Sequence, residues 1–157
     1  MAAVAERSLV RAHRPGVDPA PLTDWPLLAM PIPAGSPVPA DDRIERRLSL
    51  DDHLARIPEA TFLVRVTGDS LAKAGIRDGD LLVMDRAIPA TEGSVALALI
   101  AGAFLLAQVG GDAHGRRVLR ATTPNGGERW LDDEEIVTVG VARWAIHRLW
   151  PGRAAPH

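Results

Sequence analysis

The stretch TGDSLAKAG, residues 67–75, sets Ser70 three positions before Lys73. A serine with an amine nearby is the minimal equipment for nucleophilic catalysis, because a neutral amine can take the hydroxyl proton as the oxygen attacks. Lys73 is the only lysine in the 157 residues, so it is that base or the chain has no lysine base. A plainer explanation competes. Asp69 and Ser70 can cap a single turn, Leu71 to Ala74, that Gly75 stops. Lys73 is then a solvated side chain, protonated at neutral pH.

The elements around this stretch decide what it can be. Residues 1–14 suit a short frayed helix, and from Pro15 to Pro39 the chain holds eight of its thirteen prolines. That density excludes a packed helical domain and a helix-turn-helix reader. Residues 1–40 therefore read as an extended arm, 41–150 as a β domain and 151–157 as a tail. Ser49 and Asp52 resemble a capping box, and Leu50, Leu54 and Ile57 give a short helix within Leu48 to Pro58 an apolar stripe. Beyond it the apolar period shortens. Thr61 to Val66, Leu81 to Asp85, Ser94 to Ile100, Ala103 to Val109, Arg117 to Ala121 and Ile136 to Ala145 read as strands. Turn signals at Asp78-Gly79-Asp80, Ala101-Gly102, Gly110-Gly111-Asp112 and Asn125-Gly126-Gly127 separate them. The expected fold is mostly β and antiparallel, with one or two short helices.

Composition narrows the function. The net charge is −2, with 18 basic and 20 acidic residues and no dense basic run, so sequence-specific DNA binding is not indicated. The absence of cysteine removes disulfides, thiolate nucleophiles and cysteine-based zinc sites, and suits the cytoplasm. His13, His53, His114, His147 and His157 are scattered without metal-ligand spacing, so no cofactor or metal is expected and they read as surface or capping residues. The longest apolar run, Val95 to Ala107, falls short of the ~20 residues of a membrane helix and is broken at Ala101-Gly102.

The helical serine-lysine arrangement of penicillin-binding enzymes also needs Ser-Asp-Asn and Lys-Thr-Gly motifs, and neither occurs here. Another arrangement fits. Strand, Gly68-Asp69-Ser70-Leu71, Gly75-Ile76, Asp78-Gly79-Asp80 and strand resembles the LexA and UmuD family of self-cleaving serine-lysine peptidases. The likeness runs from about Pro26 to Trp150 and is closest to the UmuD-like members. Pro37 to Asp42, the short helix followed by Ala60-Thr61, the Ala101 to Val109 hairpin arm and Val139 to Val141 carry it further. The resemblance implies that Ser70 is the nucleophile and that its target is Ala34-Gly35, 35 residues upstream, held extended by Pro31, Pro33, Pro37 and Pro39.

The family's lysine belongs on a later strand, and matching Gly102 to Val109 against that strand puts its position at residue 107, which is Ala107. Alternation places Ala103, Leu105, Ala107 and Val109 on one apolar face, suited to desolvating an amine and lowering its pKa. The place for the base is present and the base is absent. Loss of a general base commonly costs ~10²- to 10⁴-fold in rate, so the chain is expected to be nearly inert. Two explanations stand: a natural member that has lost catalysis, or a deliberate lysine-to-alanine change that keeps the precursor intact. The retained Ala34-Gly35 and serine turn favour the second.

What the resemblance implies further is an SOS-response homodimer, stimulated to cut itself by RecA on single-stranded DNA. The shortened form would serve a UmuC-like translesion polymerase as accessory subunit. The rival readings are a natural pseudoenzyme that regulates a polymerase or RecA without cleavage, and a fragment of a LexA-like repressor.

Overall fold

The structure is a computed structural model that describes residues 24–120, 128–130 and 136–150. The expected N-terminal helix over 1–14, the turn at Asn125-Gly126-Gly127 and the tail from 151 lie outside the described residues. Two compact units divide between Leu54 and Ala55.

In the first unit β1 (Asp24–Leu28) pairs antiparallel with β2 (Ile44–Ser49), and Trp25 lies opposite Leu48. The register slips between Leu27 and Leu28, and the backbone N–H of Ala29 donates to the Arg43 carbonyl at 2.9 Å. The arm is thus paired in part. Its segment 24–28 is half of a long-looped hairpin, and position 40, the expected boundary, falls inside that loop. Asp41 clamps the exit of the loop through three hydrogen bonds from the Arg43 side chain, at 2.6, 2.9 and 3.0 Å.

Helix α1 (Leu50–Leu54) follows directly and is shorter than the sequence suggests. Leu48 and Ser49 are taken up by β2, while Pro58 opens a 3₁₀ turn, Pro58–Ala60. The cap survives, since Ser49 Oγ accepts the Asp52 N–H at 3.2 Å.

The second unit is a sheet of seven strands in the order β3-β4-β9-β5-β6-β7-β8, each pair antiparallel. They are β3 (Thr61–Arg65), β4 (Leu81–Asp85), β5 (Val95–Ile100), β6 (Ala103–Gly111), β7 (Arg117–Arg120), β8 (Glu128–Trp130) and β9 (Ile136–Ile146). β9 is the organiser. Its first half pairs with β5 and its second half with β4, and Val141 lies opposite both Ala96 and Asp85. Two register irregularities bend this long strand, as bulges do. At the second, Arg143 falls between the partners of Met84 and Val83 and reaches Asp85 at 3.4 Å.

Both faces of the central strands are covered, which explains why Val95 to Ile100 is apolar without a break. One cluster gathers Ala90, Ala96, Ala98, Ala107, Val109, Leu119 and Val141. The alternate positions Val95 and Leu97 join Val66, Leu71, Ile76, Leu82 and Met84 in the other.

Candidate functional site

The residues between β3 and β4 build a turn whose acidic side chains are structural. Val66 closes its base, donating to the Asp80 carbonyl at 2.8 Å and accepting from the Gly79 N–H at 2.9 Å. Above that, Asp78 Oδ1 accepts the Gly68 N–H at 2.6 Å, and Asp69 Oδ1 accepts the Asp78 N–H at 3.1 Å. Each carboxylate therefore holds the other's strand of the loop. Gly68, with φ +82°, takes the left-handed conformation the turn into Asp69 requires, which a side chain would oppose.

Ser70 sits just beyond this staple and is exposed. Leu71 beside it is buried in the core, and a 3₁₀ turn, Ala72–Ala74, follows. Gly75, at φ +80°, ends it with its N–H on the Ala72 carbonyl. Neither Asp69 nor Ser70 caps that turn through its side chain. The position before it is Leu71, which has no side-chain cap bond, and the Asp69 contact is its backbone carbonyl accepting the Ala72 N–H at 3.0 Å. The capping explanation for Ser70 is corrected accordingly. Lys73 is exposed on the turn.

Ala107 lies in mid β6 opposite Ala96, with no solvent exposure. Its methyl joins the apolar cluster of Ala90, Ala96, Ala98 and Leu119, at whose edge the Arg117 guanidinium donates to the Ala90 carbonyl at 2.9 Å. Of the expected apolar face, Ala107 and Val109 are fully covered, Leu105 is half-buried and Ala103 is exposed. Leu106 packs on the other cluster, together with Leu71. The chain neighbours of Ser70 and Ala107 thus share one core, while Ala107 itself points to the alternate face of β6.

Ala34 and Gly35 belong to the first unit. Both are exposed, in the loop between β1 and β2. The prolines do not keep them straight, because the chain turns at Ala34-Gly35, where Gly35 has φ +77°. The expectation of a fully extended target segment is corrected on that point.

His147 was not legible as a site residue. It follows β9, is half-buried, and places Nδ1 2.7 Å from Asp80 Oδ1, across 67 residues of sequence. Its Nε2 lies 2.9 Å from the Arg77 guanidinium. Asp80, 2% exposed, has its other oxygen on the Arg77 backbone N–H at 2.9 Å. That backbone bond and then the His147 contact hold the Asp80 carboxyl below the usual carboxylate range. The Asp78-Gly79-Asp80 signal was readable as a turn, but nothing in spacing could assign it His147.

The comparisons follow the same span. The family described as Peptidase S24-like matches residues 26–143, a stretch that contains Ala34-Gly35, Ser70 and Ala107. Protein ImpA of Salmonella typhimurium is 36% identical over 138 residues, 87% of this chain and 93% of its own length. Protein MucA of Escherichia coli is 39% identical over 79 residues, covering 50% of this chain and 54% of MucA. The LexA repressor of Leptospira biflexa is 41% identical over 75 residues, 48% of this chain and 36% of the repressor.

Proposed function

The chain belongs to the Peptidase S24-like family, and on that footing we propose that it is a cleavage-deficient, UmuD-like SOS-response protein. In the active form a lysine at position 107 takes the proton of the Ser70 hydroxyl. The freed oxygen attacks the Ala34 carbonyl, the bond to Gly35 breaks as the lysine returns that proton to the departing Gly35 amine, and water then releases the acyl group from Ser70 as the Ala34 carboxylate. Ala107 removes the first step.

The observation that carries this reading is the setting of Ala107. A lysine placed there would begin among alanines, valine and leucine with no solvent around its stem, where desolvation favours the neutral amine. Lys73, exposed on its turn, has no such support. The exposed position of Ser70 beside a buried anchor, Leu71, suits a nucleophile that must meet a peptide.

The remaining parts of the proposal come with the similarity to ImpA and MucA. The protein works in the cytoplasm as a homodimer, RecA on single-stranded DNA stimulates the cut, and the shortened chain serves a UmuC-like translesion polymerase. The decisive comparison is Ala107→Lys with and without Ser70→Ala. Self-cleavage in the first and none in the second supports the reading, and cleavage that survives Ser70→Ala overturns it.

A further inference from the structure

Arginine offers only N–H donors, at any accessible pH. The 2.9 Å contact between Arg77 Nη1 and His147 Nε2 therefore requires a lone pair on Nε2. The ring proton then resides on Nδ1, which donates it to Asp80 Oδ1 at 2.7 Å. Both bonds exist together only for the neutral imidazole. A proton added at Nε2 would set donor against donor and cation against cation. Arg77 must then swing away, while the bond to Asp80 remains.

This ring of contacts connects to the serine turn by an unbroken path. Arg77 and Asp80 are the ends of one tight turn, closed by the Asp80 N–H on the Arg77 carbonyl at 3.1 Å and by the Asp80 carboxylate on the Arg77 N–H. Asp78, inside that turn, holds Gly68 and is held by Asp69. Ser70 is the next residue. On the other side, Ile146 pairs with Leu81 and fixes where His147 stands.

We propose that His147 is a positioning residue for the serine turn, and that its neutral form clasps the Arg77–Asp80 turn to the end of β9. The functional meaning of the clasp rests on the reading of Ser70 as a nucleophile; its existence does not. The charged groups facing the ring are Asp80 and Arg77 from the loop. Further out are Arg65 of β3, which donates to the Gly79 carbonyl at 3.3 Å, and the adjacent Arg148, whose guanidinium lies over Trp150 at 5.6 Å.

Nuclear magnetic resonance on the full chain tests the clasp. Long-range proton–nitrogen correlations should show the Nδ1–H tautomer at pH 8. From pH 8 to 5 the backbone amides of Ser70, Gly75 and Gly79 should shift with the same midpoint as the His147 ring. In His147→Gln those inflections should vanish and the amides should keep their high-pH positions, because a side-chain amide donates to Asp80 and accepts from Arg77 but does not titrate. His147→Leu, which can do neither, should lose amide protection at Gly79 at every pH. An Nε2–H tautomer overturns the proposal. So does a His147 ring that titrates while the loop amides stay still, or an inflection that persists in His147→Gln. The resonances are read on the uncleaved chain, so they decide the clasp whether or not any lysine variant cuts itself.

Discussion

Gly140→Ala is the smallest change that should disturb how β9 sits in the sheet. A Cβ at that position would stand 2.9 Å from Phe62 Cε1, 3.0 Å from Cζ and 3.4 Å from the Asp85 carbonyl oxygen. The ring is partly buried. It packs on the core cluster of Leu82 and Met84, and the Arg86 guanidinium lies 4.8 Å from its centroid. Overpacking of this kind costs about 1–3 kcal/mol, and the backbone entropy that alanine saves in a strand offsets about 0.5–1 kcal/mol of it. The net loss should lie between about 0 and 2.5 kcal/mol and centre near about 1 kcal/mol, a drop of a few degrees in Tm for a chain of this size. Circular dichroism melts would measure it. The stronger test is Phe62→Leu, which removes the two colliding atoms. The double variant should be more stable than the sum of the single losses predicts, by about 0.5 kcal/mol or more. Additive losses in the double variant would refute the packing argument.

Asp80 is ionised with a lowered pKa when folded, so its contribution is present above the unfolded carboxylate value of ~3.9 and disappears as the pH falls through the lower folded one. In urea unfolding the stability difference between parent and Asp80→Asn should therefore shrink between pH 5 and pH 3; a constant difference contradicts this. Lys73→Ala should change stability by less than about 0.5 kcal/mol and, in an Ala107→Lys chain, leave cleavage within a few-fold of its parent. Complete loss of cleavage with the circular dichroism intact would make Lys73 the base. Light scattering at micromolar concentration should give the mass of a dimer, since β3 leaves an edge strand with Leu63 58% exposed; a single-chain mass would count against the homodimer.

The strands of the seven-stranded sheet that sequence reveals are those whose apolar positions alternate or run on, as in Leu81 to Asp85 and Val95 to Ile100. β1 and β2 escape that reading for a physical reason. Glu45, Arg46 and Arg47 give β2 three consecutive charges, Pro26 sits in its partner, and the turn between them is too long to signal a hairpin. β8, at three residues, is too short to show a period. Within the site, the turn around Ser70 is legible because its glycines and acids each do a local job: Gly68 and Gly75 take positive φ, and Asp69 and Asp78 cap N–H groups. His147 is not, since only the tertiary path of β9 brings it to Asp80. Ala107 is a special case, visible as an apolar strand position but meaningful only beside the family pattern that puts lysine there.

The intact mass of the Ala107→Lys chain after incubation at alkaline pH, with and without RecA filaments on single-stranded DNA, tests position 107 most directly. A fragment that begins at Gly35, formed faster as pH rises and absent when Ser70 is alanine, is the predicted result. A chain that stays whole under all these conditions would contradict the assignment of position 107 as the seat of the base.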